Sequence, residues 1–300
     1  MPSFFSAPQT EYSKSYGAYE VKRSEYMHIS YEQTNRRRLM GPLMGGVTLA
    51  IMSLSAASAQ TPSAAVGTTL HVYGPGGPLP AMKDAAAQFK TETGVQVEVT
   101  GGPTPQWIGQ AKENADLIFS GSETMMTDFI NAMGKQVDSA DVVPLYLRPS
   151  AILVRPGNPM NIRGMKDLLM PGRKVLVVNG AGQNGLWEDM AGRSGDINSV
   201  RSLRSNIKVF AGNSAEARKA WTEDPTLEAW IIWNIWQISN PSLADVVEVE
   251  PEFRIYRDAG IVLTDTGKTK SEAKAFAQFL ASPKGIAIFA KWGWMTNPKK

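Results

Sequence analysis

The chain has 300 residues, long enough for one large domain or two ordinary ones, each with a buried core. Its formal charge is +3, but six basic and four acidic side chains fall in the first 59 residues, so the remainder stands near neutrality and implies no nucleic-acid partner. It has no cysteine and two histidines, which excludes a disulfide framework, a thiolate metal site and a cysteine nucleophile, and leaves serine–histidine catalysis resting on His71 alone.

Residues 1–35 are polar and aperiodic, and we read them as unstructured. Arg36, Arg37 and Arg38 precede an apolar run from Leu39 to Ala57, broken by Gly41, Pro42, Gly45 and Gly46. Ala57-Ser58-Ala59 closes it with the small residues a signal peptidase reads, so residues 1–59 are expected to be a leader cleaved after Ala59. The run is shorter and more interrupted than the ~20 apolar residues of a membrane span. No cysteine follows for lipid attachment. The mature protein is therefore expected in the periplasm and not membrane-spanning. The general secretory route is favoured, with twin-arginine export as the alternative suggested by the stretch Asn35 to Met40. Met27 is an alternative start.

The mature chain opens on Leu70 to Phe89, a strand, a Gly/Pro turn and a helix. Gly74, Gly76 and Gly77 are expected to supply backbone conformations that a Cβ would forbid, and Pro80 to take the first helical position. Met82, Ala85, Ala86 and Phe89 then share one helical face. Bare N–H groups and a helix start at one point favour an anion. Val95 to Thr100 reads as a strand, and Thr104 before Pro105 as the N-cap of the next helix. Asp116 to Phe119 is a strand; Ser120 with Glu123 suits a capping box ahead of Met125, Met126, Phe129, Ile130 and Met133.

The organisation shifts at Pro144 to Pro149, and a second set of βα units begins with the strand Ala151 to Arg155. Lys174 to Asn179 is a strand whose exit, Gly180 to Gly185, satisfies GxGxxG. A dinucleotide fingerprint also needs an acidic residue about 20 positions on, where this chain has the basic stretch Ser199 to Arg204. Ile207 to Ala211 is a strand, and Asn213 with Glu216 caps the next helix. Leu227 to Ile235 is apolar and rich in tryptophan; Val246 to Val249 leads back, Ala259 to Thr264 is a strand, and helices close the chain. Alternating strands and helices imply an α/β protein.

Several motifs together resemble the accessory colonisation factor C family, within the class II (molybdate/sulfate-type) periplasmic solute-binding proteins. They include Tyr73 to Pro78, Gly102-Pro103, Ala115 to Phe119, Pro144 to Arg148, Gly185 to Asp189, Ala191 to Arg193, Tyr256 to Asp258 and Ile288 to Trp294. The resemblance implies a two-lobe type 2 binding-protein fold, each lobe a mostly parallel sheet flanked by helices, joined by two crossing strands. Residues 68–150 and 252–300 would form lobe 1, and residues 151–251 lobe 2. It implies a small anion held between the lobes, an oxyanion or a phosphorylated or carboxylated metabolite. An ABC permease and a second copy of the chain are the candidate protein partners, and neither enzyme activity nor a cofactor is expected. The alternative is a colonisation factor or adhesin working through its outer surface.

By the same resemblance, a hydroxyl position of molybdate binders falls on Gly77, where only backbone can donate, and the next falls on Thr104. The second-lobe loop falls near Asn184 and Gly185, the next helix start near Ser214 and Ala215. A site-closing tyrosine corresponds to Trp233, which offers an indole N–H and no hydroxyl. The expected ligand contacts are thus Gly76, Gly77, Thr104, Ser120, Ser122, Asn184, Gly185, Ser214 and Trp233, with Arg148 as counter-charge.

Overall fold

The computed structural model describes residues 67–180 and 182–296; the expected leader, residues 1–59, and its expected cleavage site lie outside them. The chain runs β1 (Thr69–Gly74), α1 (Leu79–Thr93), β2 (Gln96–Gly101), α2 (Ile108–Asn114), β3 (Leu117–Phe119), α3 (Glu123–Met133) and β4 (Val143–Val154). It continues with α4 (Met165–Leu168), β5 (Val175–Val178), α5 (Leu186–Gly192), α6 (Ile197–Asn206), β6 (Ile207–Ala211), α7 (Ser214–Glu223), β7 (Ala229–Trp233), α8 (Ile235–Ser239) and β8 (Asp245–Glu248). The last elements are β9 (Tyr256–Leu263), α9 (Asp265–Thr269), α10 (Ser271–Ala281) and α11 (Pro283–Lys291). No helix among the described residues is long and apolar enough to cross a membrane.

The strands lie in the order β2-β1-β3-β9-β4-β7-β5-β6, with β8 also on β4. The βα units give parallel pairs on each flank, β1 with β2 and β3, and β5 with β6 and β7. The centre is antiparallel: β4 pairs with β9 over Val143–Pro149, then with β7 and β8 from Ser150 onward. One strand thus belongs to two half-sheets. The strand expected only from Ala151 begins at Val143, because its two prolines occupy tolerated places. Pro144 adjoins a register irregularity, and Pro149 stands where the strand exchanges β9 for β7.

Apolar periodicity accounts for the packing. Met82, Ala85, Ala86 and Phe89 of α1 are buried as their spacing predicts, and Phe89 packs on Phe276 and Phe279 at ring distances of 5.2 and 5.5 Å. On the other face, α3 buries Met125, Met126, Phe129 and Met133, and Phe129 meets the edge of Trp107 at 5.1 Å. These methionines pack in the core. In the second half, the runs Val175–Val178 and Ala229–Trp233 are buried throughout, as strands covered on both faces should be.

Candidate functional site

Arg148 is the centre of the site. It lies on β4 one residue before the change of partners, and the register that sets Ser150 opposite Trp233 brings the Trp233 ring under it. An antiparallel bridge between Leu147 and Met295 delivers Trp294 to the same place. The guanidinium carbon stands 4.6 Å from the Trp233 ring centre and 5.0 Å from that of Trp294. Nη2 donates to the Gly121 carbonyl.

Two glycines make room for this group. A Cβ at Gly77 would come to 2.9 Å from Nη1, and one at Gly121 to 2.9 Å from Nη2. Gly74, Gly76 and Gly77 do not take the left-handed backbone expected of them. Gly74 is required instead by the close approach of Phe119, and Gly77 by Arg148.

Arg148 is 3% exposed, its Nε has no hydrogen-bond partner, and no carboxylate among the described residues forms an ion pair with it. Burial pulls its pKa down to about 9, partly opposed by the field of Asp258. It is still a cation at neutral pH. Asp258 is itself held above the usual carboxylate range by burial; its Oδ1 accepts from the Glu123 N–H at 3.0 Å. Arg257, opposite Arg148 in the ladder, directs its charge to Asp189.

The guanidinium opens on a cavity of about 120 Å³, room for a small ion or metabolite. The turn after β1 lines one wall with Gly76 and Gly77, joined by Thr104 from beyond β2. The loop before α5 and the start of α7 line another, with Gln183, Asn213 and Ser214. Five of the expected ligand residues therefore meet here: Gly76, Gly77, Thr104, Arg148 and Ser214.

The other five do not line the cavity. Ser120 accepts from the Gly260 N–H at 3.3 Å, tying β3 to β9, and the expected capping box at that serine does not form. The cap of α3 is Ser122, whose Oγ accepts from the Met125 N–H at 3.2 Å. Asn184 is exposed, and Gly185 precedes α5 with φ of 71°. Trp233 is buried as a platform beneath Arg148, with its indole N–H unpaired.

Thr104 does not cap a helix as expected. It opens a one-turn 3-10 helix, Thr104–Gln106, whose cap position is Pro103, so its hydroxyl has no capping duty. Gln183 and Asn213 were not among the expected contacts. Asn213 carried the capping signal with Glu216, whereas Gln183 stood inside the GxGxxG stretch and carried no signal of its own.

A family model described as bacterial extracellular solute-binding protein matches residues 70–295. The chain belongs to this family. Among solved structures, Peb3 from Campylobacter jejuni is similar to this chain at 35% identity and a TM-score of 0.71, covering 76% of this chain and 100% of that one. A structure of PEB3 with bound L-phospholactate is 35% identical with a TM-score of 0.72 and the same coverage. The sulfate-binding protein SubI from Mycobacterium tuberculosis shares the fold at 21% identity and a TM-score of 0.64, over 77% of this chain and 88% of that one. No curated protein sequence matches significantly. The resemblance drawn from the motifs, and with it the type 2 binding-protein fold, is borne out.

Proposed function

We propose that this protein captures a small anion in the periplasm by closing residues 68–150 with 252–300, as one lobe, against residues 151–251, as the other. It then delivers the anion to an ABC-type importer. The observation that carries this reading is the buried, unpaired cation of Arg148 at the cavity wall. A buried charge without a counter-charge is costly, and an anionic ligand supplies the missing partner. Gly76, Gly77, Thr104 and Ser214 add neutral polar groups around the same space. The relative that carries L-phospholactate holds an anion with both phosphate and carboxylate, which supports extending the ligand class to phosphorylated acids.

A melting-temperature screen with sulfate, molybdate, phosphorylated three-carbon acids and plain carboxylates tests the proposal. A ligand at a hundred times its Kd stabilises by about 2.7 kcal/mol, roughly 5–10 °C at this chain length. No shift with any anion overturns anion capture and leaves the outer-surface adhesin as the better reading.

A further inference from the structure

Two contacts beside the cavity join residues 68–150 and 252–300 to residues 151–251. One is steric. Gly182, in the loop before α5, lies against the start of α3, where a Cβ would come to 2.5 Å from Met125 Sδ and 3.0 Å from Ser122 Oγ. The other is ionic. Arg257 Nη2 donates to Asp189 Oδ2 across 68 residues of sequence. Both ends adjoin the cavity walls. Arg257 stands opposite Arg148 in the ladder of β4 with β9. Asp189 lies in the first turn of α5, directly after the loop that carries Gln183.

A carboxylate beside an anion site repels the ligand if its own field is all that acts. Paired with Arg257, the Asp189 carboxylate instead ties α5 to β9. We infer that the Arg257–Asp189 ion pair is a latch between the two halves, made as they close on the anion and broken before it leaves. This rests on the anion-capture reading and adds to it a device that sets how long the ligand stays. Because the pair forms in the closed arrangement alone, its whole contribution appears in the apparent affinity, as a larger closed fraction. Both side chains reach solvent, so the pair acts with the modest strength of a part-exposed one and is screened by salt.

The test is a double-mutant cycle on the exported protein with Asp189→Ala, Arg257→Gln and the two combined, using L-phospholactate and sulfate as probes. Titration calorimetry gives affinities, and stopped-flow fluorescence gives release rates, with Trp233 and Trp294 beside Arg148 as reporters. Each single variant should bind about two- to fivefold more weakly, chiefly through faster release, and the combined variant should lose no more than either. Added salt should speed release from the unaltered protein more than from the combined variant. Tighter binding by Asp189→Ala overturns the latch and leaves the carboxylate a simple repulsive charge. A loss confined to Arg257→Gln overturns it too, and assigns Arg257 to the ligand. Losses that add in the combined variant have the same force against it. Binding of neither probe to the unaltered protein refutes anion capture and the latch with it, whereas binding that the variants leave unchanged refutes the latch alone.

Discussion

Arg148→Met removes the charge at the cavity and keeps an unbranched side chain of similar reach, and its effects on folding and binding should separate. Burial pulls the guanidinium down from its ordinary value to about 9. A cation whose folded pKa lies below its unfolded one costs stability at every pH below the folded value, and that cost fades as pH rises above about 9 toward the unfolded value. At pH 7 the full cost is present, on the order of 5 kcal/mol at about 1.4 kcal/mol per unit. Against it stand a charged hydrogen bond to Gly121, worth about 1.5–3 kcal/mol, and two ring contacts of roughly 0.5–2 kcal/mol each. These opposing contributions nearly cancel, so the variant should melt within about 8 °C of the parent. Binding has no such compensation. Removing one member of a buried charge pair costs about 3–5 kcal/mol, or on the order of a hundred- to several-thousandfold in Kd. Titration calorimetry beside melting curves measures both. Near-parental affinity together with a fall in melting temperature well beyond 10 °C would show that Arg148 is a structural strut, and the reasoning would be wrong.

Thr104→Ala should weaken anion binding about ten- to a hundredfold with little change in melting, because Thr104 caps no helix, and Thr104→Ser should restore affinity. Calorimetry that finds unaltered affinity removes Thr104 from the site. Small-angle scattering should show a smaller radius of gyration at saturating ligand, as expected of two lobes closing; an unchanged radius argues for a rigid molecule. Intact mass of the exported protein should correspond to a chain that begins at Gln60, and a stable exported species retaining residues 1–59 refutes the cleavage site.

The parts of the fold written in apolar periodicity were legible from sequence. The α1 face Met82, Ala85, Ala86 and Phe89, the α3 methionines and the strand Ile207–Ala211 are found where their spacing put them. The first half of β4 was not legible, because Pro144 and Pro149 discourage a strand locally and only the irregular register and the change of partner make them acceptable. The site divides the same way. Arg148 could be singled out as the basic residue of the motif Pro144 to Arg148, where the organisation of the chain shifts. The fate of a serine hydroxyl, by contrast, depends on a partner distant in the chain: Ser120 meets the Gly260 N–H 140 residues away. Gln183 comes to the cavity only because the loop before α5 packs against the start of α7, where its Nε2 donates to Ser214 Oγ at 2.8 Å.

The two positions at which the resemblance implies a departure from the molybdate-type pattern, Gly77 and Trp233, both meet Arg148. At the position where the resemblance expects a hydroxyl, this chain has Gly77, and any Cβ there would press to 2.9 Å against Arg148 Nη1. A hydroxyl-bearing side chain and this placement of the guanidinium therefore exclude one another. Trp233, on which the resemblance places the closing tyrosine, supports the same guanidinium with its ring centre at 4.6 Å. Its larger π-face accommodates a cation that a phenol would hold less well. Gly121 completes the space on the other side, accepting Nη2 at its carbonyl where a side chain would obstruct it. Gly77, Gly121 and Trp233 thus serve one group: two glycines leave its space open and an indole ring lies beneath a buried positive charge. Such a charge favours ligands that bring at least one full negative charge into a dry site. Neutral solutes of the same size would leave it unpaired, so the surroundings of Arg148 support the proposed preference for an anion.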